Sequence, residues 1–349
     1  MLEYFLGSYL VTIFGIIAAY FWGEHVHSGS GFTCVFIVIV LAVLETSLSF
    51  DNAVVNAMKL EKMSHKWRHR FLTWGIAIAV FGMRFLFPVL VVAIFAKLDM
   101  LTVTKIALTD SAKYAQYLHA THAPIVTFGG LFLVMLFLNY FFNHEKSVHW
   151  IKPVEAPLSH LDHIRGIEIV ISLLMLVVVQ VFIPAEAKVS VILSGIAGII
   201  TFLIIDGVAH FLEKHEEMSQ SKCAADAVKC TGLISFIYLE LIDASFSLDG
   251  VLGAFALSND VLIITIGLAI GAMFVRSLTI MLVEKKTLAK FLYLEHGAHW
   301  AIGALAIIML VSTVKEVPEV VTGLIGLVFI IGALISSIIH NRKQVKNND

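Results

Sequence analysis

The chain is short of charge, of cysteine and of basic excess, and each shortage removes a class of protein. Charged residues make up 14% of its 349 residues against 59% hydrophobic, and no water-soluble core hides so much apolar surface. A net charge of -2 leaves none of the basic excess that marks a nucleic-acid partner, so none is expected. The three cysteines, Cys34, Cys223 and Cys230, form no CxxC pair, which argues against a disulfide framework and a structural zinc site. HExxH, GxSxG and paired metal-site histidines on a span are missing, so a membrane hydrolase is kept only as an alternative to the transporter read below. No Lys or Arg precedes the first apolar run, which starts straight after Met1-Leu2-Glu3. Residues 4–22 therefore read as a mature helix rather than a secretory signal.

What is present in quantity is apolar length. Runs of about 20 apolar residues recur, each long enough to cross a hydrocarbon layer of roughly 30 Å. Bounded by charged or Gly/Pro breaks, they predict spans near 4–22, 32–57, 72–96, 124–142, 164–183, 189–212, 231–256, 261–283, 299–314 and 320–339. The expected fold class is all-α: a polytopic membrane protein of about ten transmembrane helices with the lipid bilayer as its partner. A polar tail over 340–349 is expected to be mobile. With ten spans, the even connections and both termini share one side, which carries seventeen Lys and Arg residues, among them Lys59, Arg70, Lys146 and Lys285. The other side carries five, including Lys97 and Lys315. That bias places both termini in the cytoplasm.

The sequence also repeats itself. Glu45-Thr-Ser-Leu-Ser-Phe-Asp51-Asn52 sets over Asp243-Ala-Ser-Phe-Ser-Leu-Asp249-Gly250 without a gap, 198 residues apart. Gly75-Ile-Ala-Ile runs nine residues to Arg84, and Gly267-Leu-Ala-Ile runs nine residues to Arg276. His119-Ala-Thr-His122 resembles His296-Gly-Ala-His299, and Gly15-Ile-Ile with His27 sets over Gly198-Ile-Ile with His210. All four matches come in the same order, which predicts a duplication: a five-helix repeat over 1–183 and another over 184–349. An odd number of spans per repeat makes the halves enter the membrane in opposite directions, the inverted architecture of many secondary transporters.

The duplicated motif carries the chemistry. A charge at membrane depth costs at least ~2.5 kcal/mol, so embedded acids are rare and face a partner or a wet cavity. Glu45, Ser49 and Asn52 share one helix face, as do Glu240, Asp243, Ser247 and Gly250. Asp51 follows Glu45 by six residues, about 120° away on an unbroken helix. Either the helix unwinds around Ser47 to Asn52 and frees carbonyls, or Asp51 serves another step; unwinding is favoured. Carboxylate, hydroxyl and amide donors without cysteine suit a hard divalent ion such as Mn²⁺, Ca²⁺ or Mg²⁺. The expected metal set is Glu45, Ser49, Asp51, Asn52, Asp243, Ser247 and Asp249, with Arg84 and Arg276 balancing charge. If all ionise, the four acids and two arginines sum to -2, which matches one divalent ion. Glu240, Asp206, His122 and His299 are possible additions, the histidines in proton coupling or entry. A bland reading stands beside this one: the polar residues only specify helix packing in a membrane scaffold or sensor.

The run from Glu45 to Val54 resembles the first signature of the TerC superfamily, and the run from Asp243 to Val251 resembles its second. Arg84, Arg276 and the segment Gly129-Gly130-Leu131-Phe132-Leu133 fit the same family. Its members are bacterial inner-membrane proteins named for tellurite resistance, several understood as manganese exporters. The resemblance implies an inner-membrane manganese exporter, with the acids and Asn52 as the manganese site. Gly250 stands where that family commonly has Ser, and ten spans exceed its usual seven or so, so the chain resembles a divergent ten-helix branch.

Overall fold

The structure is a computed structural model that describes residues 2–26, 29–63, 65–78, 82, 86–143, 148–164, 166–218, 233, 235–237, 239–243, 254, 257–258, 260–285, 291–315, 317 and 319–348. Among the described residues every regular element is helical and no strand occurs. In hydrocarbon a helix satisfies its own backbone, whereas an open sheet edge cannot.

In chain order the helices are α1 (Leu2–Val26), α2 (Gly31–Leu48), α3 (Phe50–Lys62), α4 (His65–Ala77), α5 (Phe87–Ala96), α6 (Met100–Thr109) and α7 (Ser111–Ala120). They continue as α8 (His122–Phe142), α9 (Lys152–Ser159), α10 (Ile167–Phe182), α11 (Lys188–Met218), α12 (Val261–Glu284), α13 (Leu294–Ser312) and α14 (Glu319–Asn348). Among the described residues, six segments are long and apolar enough to cross a bilayer: Tyr4–His25, His122–Phe142, Lys188–Val208, Val261–Glu284, Leu294–Ser312 and Leu324–Arg342. The bent pair α2 and α3 makes a seventh if it counts as one span. These seven fall on seven of the ten expected spans. At 164–183 the apolar helix α10 has 16 residues, short for a crossing. The expected span at 231–256 falls mostly outside the described residues, and that at 72–96 is described at its two ends, by α4 and α5, and at residues 78, 82 and 86 between them.

Two segments outside the expected spans are also helical. Much of the connection after Lys97 is helical: Asp99 caps α6 by accepting from the Leu101 and Thr102 N–H groups, and Asp110 caps α7 by accepting from Lys113 N–H. A short acidic side chain at the first orphan amides starts a helix whether or not the segment is apolar. The polar tail is also helical, to Asn348, because no Gly or Pro follows Gly332 to stop it.

The chain forms two compact units, each drawing on both halves of the sequence. Unit 1 is Met1–Asn56, Met63–His122 and Phe236–Leu282; unit 2 is Ala57–Lys62, Ala123–Ser235 and Val283–Asp349. In unit 1, Ala19, Val38, Ala42, Ile263 and Ile270 join α1, α2 and α12 in one core. Ser8 Oγ donates to the Met273 carbonyl at 2.8 Å and ties the start of α1 to α12. In unit 2, α8 is mostly buried. Its Phe132 meets Phe202 of α11 edge to face at 5.8 Å, and Gly198 of α11 lies against the Phe128 carbonyl, where no larger residue fits. Large apolar side chains such as Phe14 and Phe21 on α1 and Val181 and Phe182 on α10 are exposed, a surface at home in lipid and costly in water.

Candidate functional site

The first motif breaks its helix. Thr46 Oγ1 donates to the Ala42 carbonyl and Ser47 Oγ to the Val43 carbonyl, both at 2.7 Å. Hydroxyls bonded four residues back compete with the helical ladder and bend it. The helix stops at Leu48, Ser49 sits at φ -96° and ψ 21°, and α3 begins at Phe50. The two apolar stretches on either side are bent by 52°. Ser49 N–H still donates to the Glu45 carbonyl at 3.0 Å, and Ala53 N–H to the Ser49 carbonyl at 3.3 Å. The break is thus one residue wide, narrower than the expected unwinding across Ser47 to Asn52.

Below the break lies a small polar cavity of about 30 Å³, entirely within unit 1. Its walls are Ser49, Asn52 and Asn56 at the start of α3, Phe71 and Gly75 of α4, Glu240 and Asp243 from helical residues 239–243, and Ala272, Val275, Arg276 and Thr279 of α12. Ser49, Asn52 and Asn56 follow at i, i+3 and i+7, so one stripe of α3 faces the space. Asn52, Asn56, Glu240, Arg276 and Thr279 are all buried. Arg276 Nη2 donates to the Phe71 carbonyl, and its guanidinium lies over the Phe71 ring at 5.4 Å. Among the described residues, Asn56 Oδ1, Glu240 Oε1 and Arg276 Nε have no hydrogen-bond partner. Buried polar atoms are nearly always paired, so such atoms around one cavity call for a ligand or water.

Glycine sets the distances. A methyl group on Gly75 would stand 3.1 Å from Glu240 Oε1 and 3.3 Å from Arg276 Nη1. On α12, a methyl on Gly267 would meet Leu41 Cβ at 2.6 Å, and one on Gly271 would meet Glu45 Cβ at 2.5 Å. Only hydrogen fits at these two places, and this small-xxx-small spacing lets α2 and α12 approach closely. Glu45 is therefore buried on the α12 side and accepts a hydrogen bond from Ser49 Oγ at 3.2 Å. The motif helix of each half packs on the glycine of the other half: Leu41 on Gly267, and Glu240 on Gly75.

Of the expected site residues, Ser49, Asn52, Asp243, Glu240 and Arg276 come together at the cavity, and Glu45 adjoins it through Ser49. Asp51 is in the first turn of α3, with its side chain outside the described residues. Arg84, Ser247 and Asp249 lie outside them altogether. Asp206 belongs to unit 2, where it accepts from Asn139 Nδ2 at 3.0 Å. His122 opens α8, half-buried. His299 is buried on α13; its Nδ1 donates to the Glu295 carbonyl at 2.8 Å, and its ring stacks on Tyr140 with centroids 3.4 Å apart. Among the described residues no group of three or more His, Cys, Asp or Glu is arranged to hold a metal ion. Asn56, Thr279 and Gly75 escaped the sequence reading of the site. Asn56 had a signal, since it continues the Ser49 and Asn52 stripe by one turn.

Unit 2 holds a second polar centre that the sequence reading missed. Glu155 of α9 is 1% exposed. Trp150 N–H and Ile151 N–H donate to its carboxylate at 2.8 and 3.2 Å, Trp300 Nε1 donates at 2.9 Å, and His296 Nδ1 lies 2.9 Å away. Burial pushes this carboxyl up, but the contacts from His296, Trp300 and Ile151 outweigh it and hold it at about 2. The signal available was Pro153 at the start of a helix with an acid two residues on, the mark of a helix N-terminus.

No curated protein and no solved structure matches the chain. A family model described as "Protein of unknown function (DUF475)" matches residues 50–344, a stretch that takes in Asn52, Asn56, Gly75, Glu240, Asp243 and Arg276, and the chain therefore belongs to that family.

Proposed function

We propose that the protein is a secondary transporter that exports a hard divalent metal ion, Mn²⁺, by alternating access around the two acidic motifs. The observation that carries this reading is the unit 1 cavity, where Ser49 and Asn52 of the first motif line the same space as Asp243 of the second and Glu240 one turn before it. Hydroxyl, amide and carboxylate oxygens suit a hard cation, and embedded carboxylates are kept for function rather than for stability. A space of about 30 Å³ admits one small ion or a water and is far below the size of an organic-ligand pocket. In this reading Glu45, Asp51, Ser247 and Asp249 complete the oxygen shell, while Arg84 and Arg276 balance charge. The ion is cargo, and no resident cofactor takes part.

Three further observations support the wider frame of ten spans in two inverted repeats. The order of the four sequence matches is the first, and the seventeen-to-five charge split is the second. The third is the reciprocal packing of each motif helix on the other half's glycine, the juxtaposition that places a binding site at a repeat interface. The resemblance of both motifs to the TerC superfamily supports Mn²⁺ and a bacterial inner membrane with both termini cytoplasmic.

The test is Mn²⁺ flux through the full-length protein in liposomes. Parent protein is expected to carry Mn²⁺, Asp243→Asn to lose flux at normal membrane abundance, and Asp206→Asn, which lies in unit 2 beside Asn139, to keep it. Equal flux in Asp243→Asn and parent removes this site from the transport path. Parent liposomes as tight to divalent ions as empty ones remove the transporter reading.

A further inference from the structure

A cation site rarely carries a permanent positive charge in its own wall. This one does, because a guanidinium stays protonated in any protein environment and Arg276 lines the same space as Asn52, Asn56, Glu240 and Asp243. Arg276 is 8% exposed, too deep for water to screen its charge fully. Its anchors are a neutral carbonyl and an aromatic face, both on Phe71. Glu240 and Asp243 lie within its electrostatic reach, yet among the described residues no ion pair within 4 Å joins Arg276 to Glu240, whose Oε1 is unpartnered. That oxygen and Arg276 Nη1 both lie against Gly75, 3.1 and 3.3 Å from where a methyl group would stand.

Glu240 is also one-sided. The register that sets Glu45 over Asp243 sets Ala42 over Glu240, and Ala42 is a buried core residue of α1, α2 and α12.

Resting on the transport reading, we propose that Arg276 is a tethered cation that competes with the metal for this cavity, and that Glu240 is its counter-charge. Before metal entry the guanidinium offsets the buried carboxylate of Glu240 and the half-buried one of Asp243. When the ion takes Asp243, Arg276 retains Glu240 and is not left as an uncompensated buried charge. Its repulsion keeps the metal weakly enough bound to leave, which a transporter needs and a storage site does not.

The experiment is a double-mutant cycle on full-length protein in nanodiscs, with Mn²⁺ alone as titrant and Mn²⁺ flux in liposomes as the second readout. Arg276→Gln is expected to bind Mn²⁺ at least about tenfold more tightly while flux falls, the minimum expected for removing a charge a few ångströms from a divalent ion. Glu240→Gln is expected to bind at least about tenfold more weakly, and the double variant to return to within about threefold of parent. If Arg276→Gln does not accumulate, the uncharged double variant compared with Glu240→Gln alone carries the same test, since a neutral pair leaves no buried charge stranded. Unchanged or weaker binding in Arg276→Gln overturns the proposal. So does a double variant as weak as Glu240→Gln, which makes Glu240 a direct ligand. Parent protein without saturable Mn²⁺ binding overturns the transport reading and the proposal with it, whereas saturable binding that ignores Arg276 overturns the proposal alone.

Discussion

Of the three glutamates buried among the described residues, Glu155 in unit 2 and Glu240 in unit 1 are treated in opposite ways. Glu155 in unit 2 accepts hydrogen bonds from two backbone amides and an indole and lies against an imidazole. Glu240 in unit 1 has a carboxylate oxygen with no hydrogen-bond partner among the described residues, at the wall of a cavity. A carboxylate whose oxygens are all engaged has nothing left to offer a ligand. Glu155 instead fastens the segment before α9 to α13, and Trp150 continues that packing onto α14 beside Gly332. A carboxylate left with an empty acceptor at membrane depth costs stability, and such a cost persists where function requires it. The contrast separates a structural acid from a working one.

The sharpest break in this contrast is Glu155→Ala. It strands the Trp300 indole, two backbone amides and His296 in a buried space, and its expected cost is about 3–5 kcal/mol. Thermal unfolding in detergent should show a large loss of stability, with normal Mn²⁺ flux per surviving molecule. A stable Glu155→Ala protein that fails to carry Mn²⁺ would reverse the two roles.

Next in size is the pH dependence of the same acid. Its folded value, about 2, lies below the ordinary 4.5, so its contribution is fully present above pH 4.5 and is lost as pH falls toward 2. The loss is on the order of 3 kcal/mol. The stability gap between parent and Glu155→Gln should therefore close over that window. A gap that stays constant from pH 5 to pH 2 contradicts the assignment.

In unit 1 the signs turn over. Asn56→Leu removes an unpartnered buried oxygen and should change stability by less than about 1 kcal/mol, while Mn²⁺ flux falls by at least about tenfold. Full flux in that variant takes Asn56 off the site. The smallest effect is expected from Gly75→Ala, whose methyl would press on Glu240 and Arg276 at 3.1 and 3.3 Å. Both ends are flexible side chains that can yield by a few tenths of an ångström, so flux should drop only a few-fold. Complete loss would mean that the gap at Gly75 is rigid.

Much of the site was legible because membrane depth makes polar residues conspicuous. Glu45, Ser49, Asn52, Glu240, Asp243 and Arg276 stood out against apolar runs, and helical spacing put them on shared faces. Gly75 and Gly267 also stood out, but only as markers of repetition. That Gly267 sits where a partner helix leaves room for hydrogen alone, and Gly75 where Glu240 and Arg276 press close, is a property of helices in contact, which one strand of sequence does not contain. His296 read as one of a pair with His299 at a span edge. In the structure both are buried within α13, and they part company: His296 meets Glu155, and His299 stacks on Tyr140.

Sequence by itself determined the solvent of this protein, its helical class and the polar stripes on its helices, because each depends on composition or on a period of 3.6 residues along one chain. Tertiary structure alone decided which stripes meet. The approach of α4, α12 and residues 239–243 to the start of α3 made one cavity from segments nearly two hundred residues apart. Packing also decided which buried acid is satisfied, since the donors that hold Glu155 come partly from α13, whereas Glu240 lines a cavity and its Oε1 has no hydrogen-bond partner among the described residues.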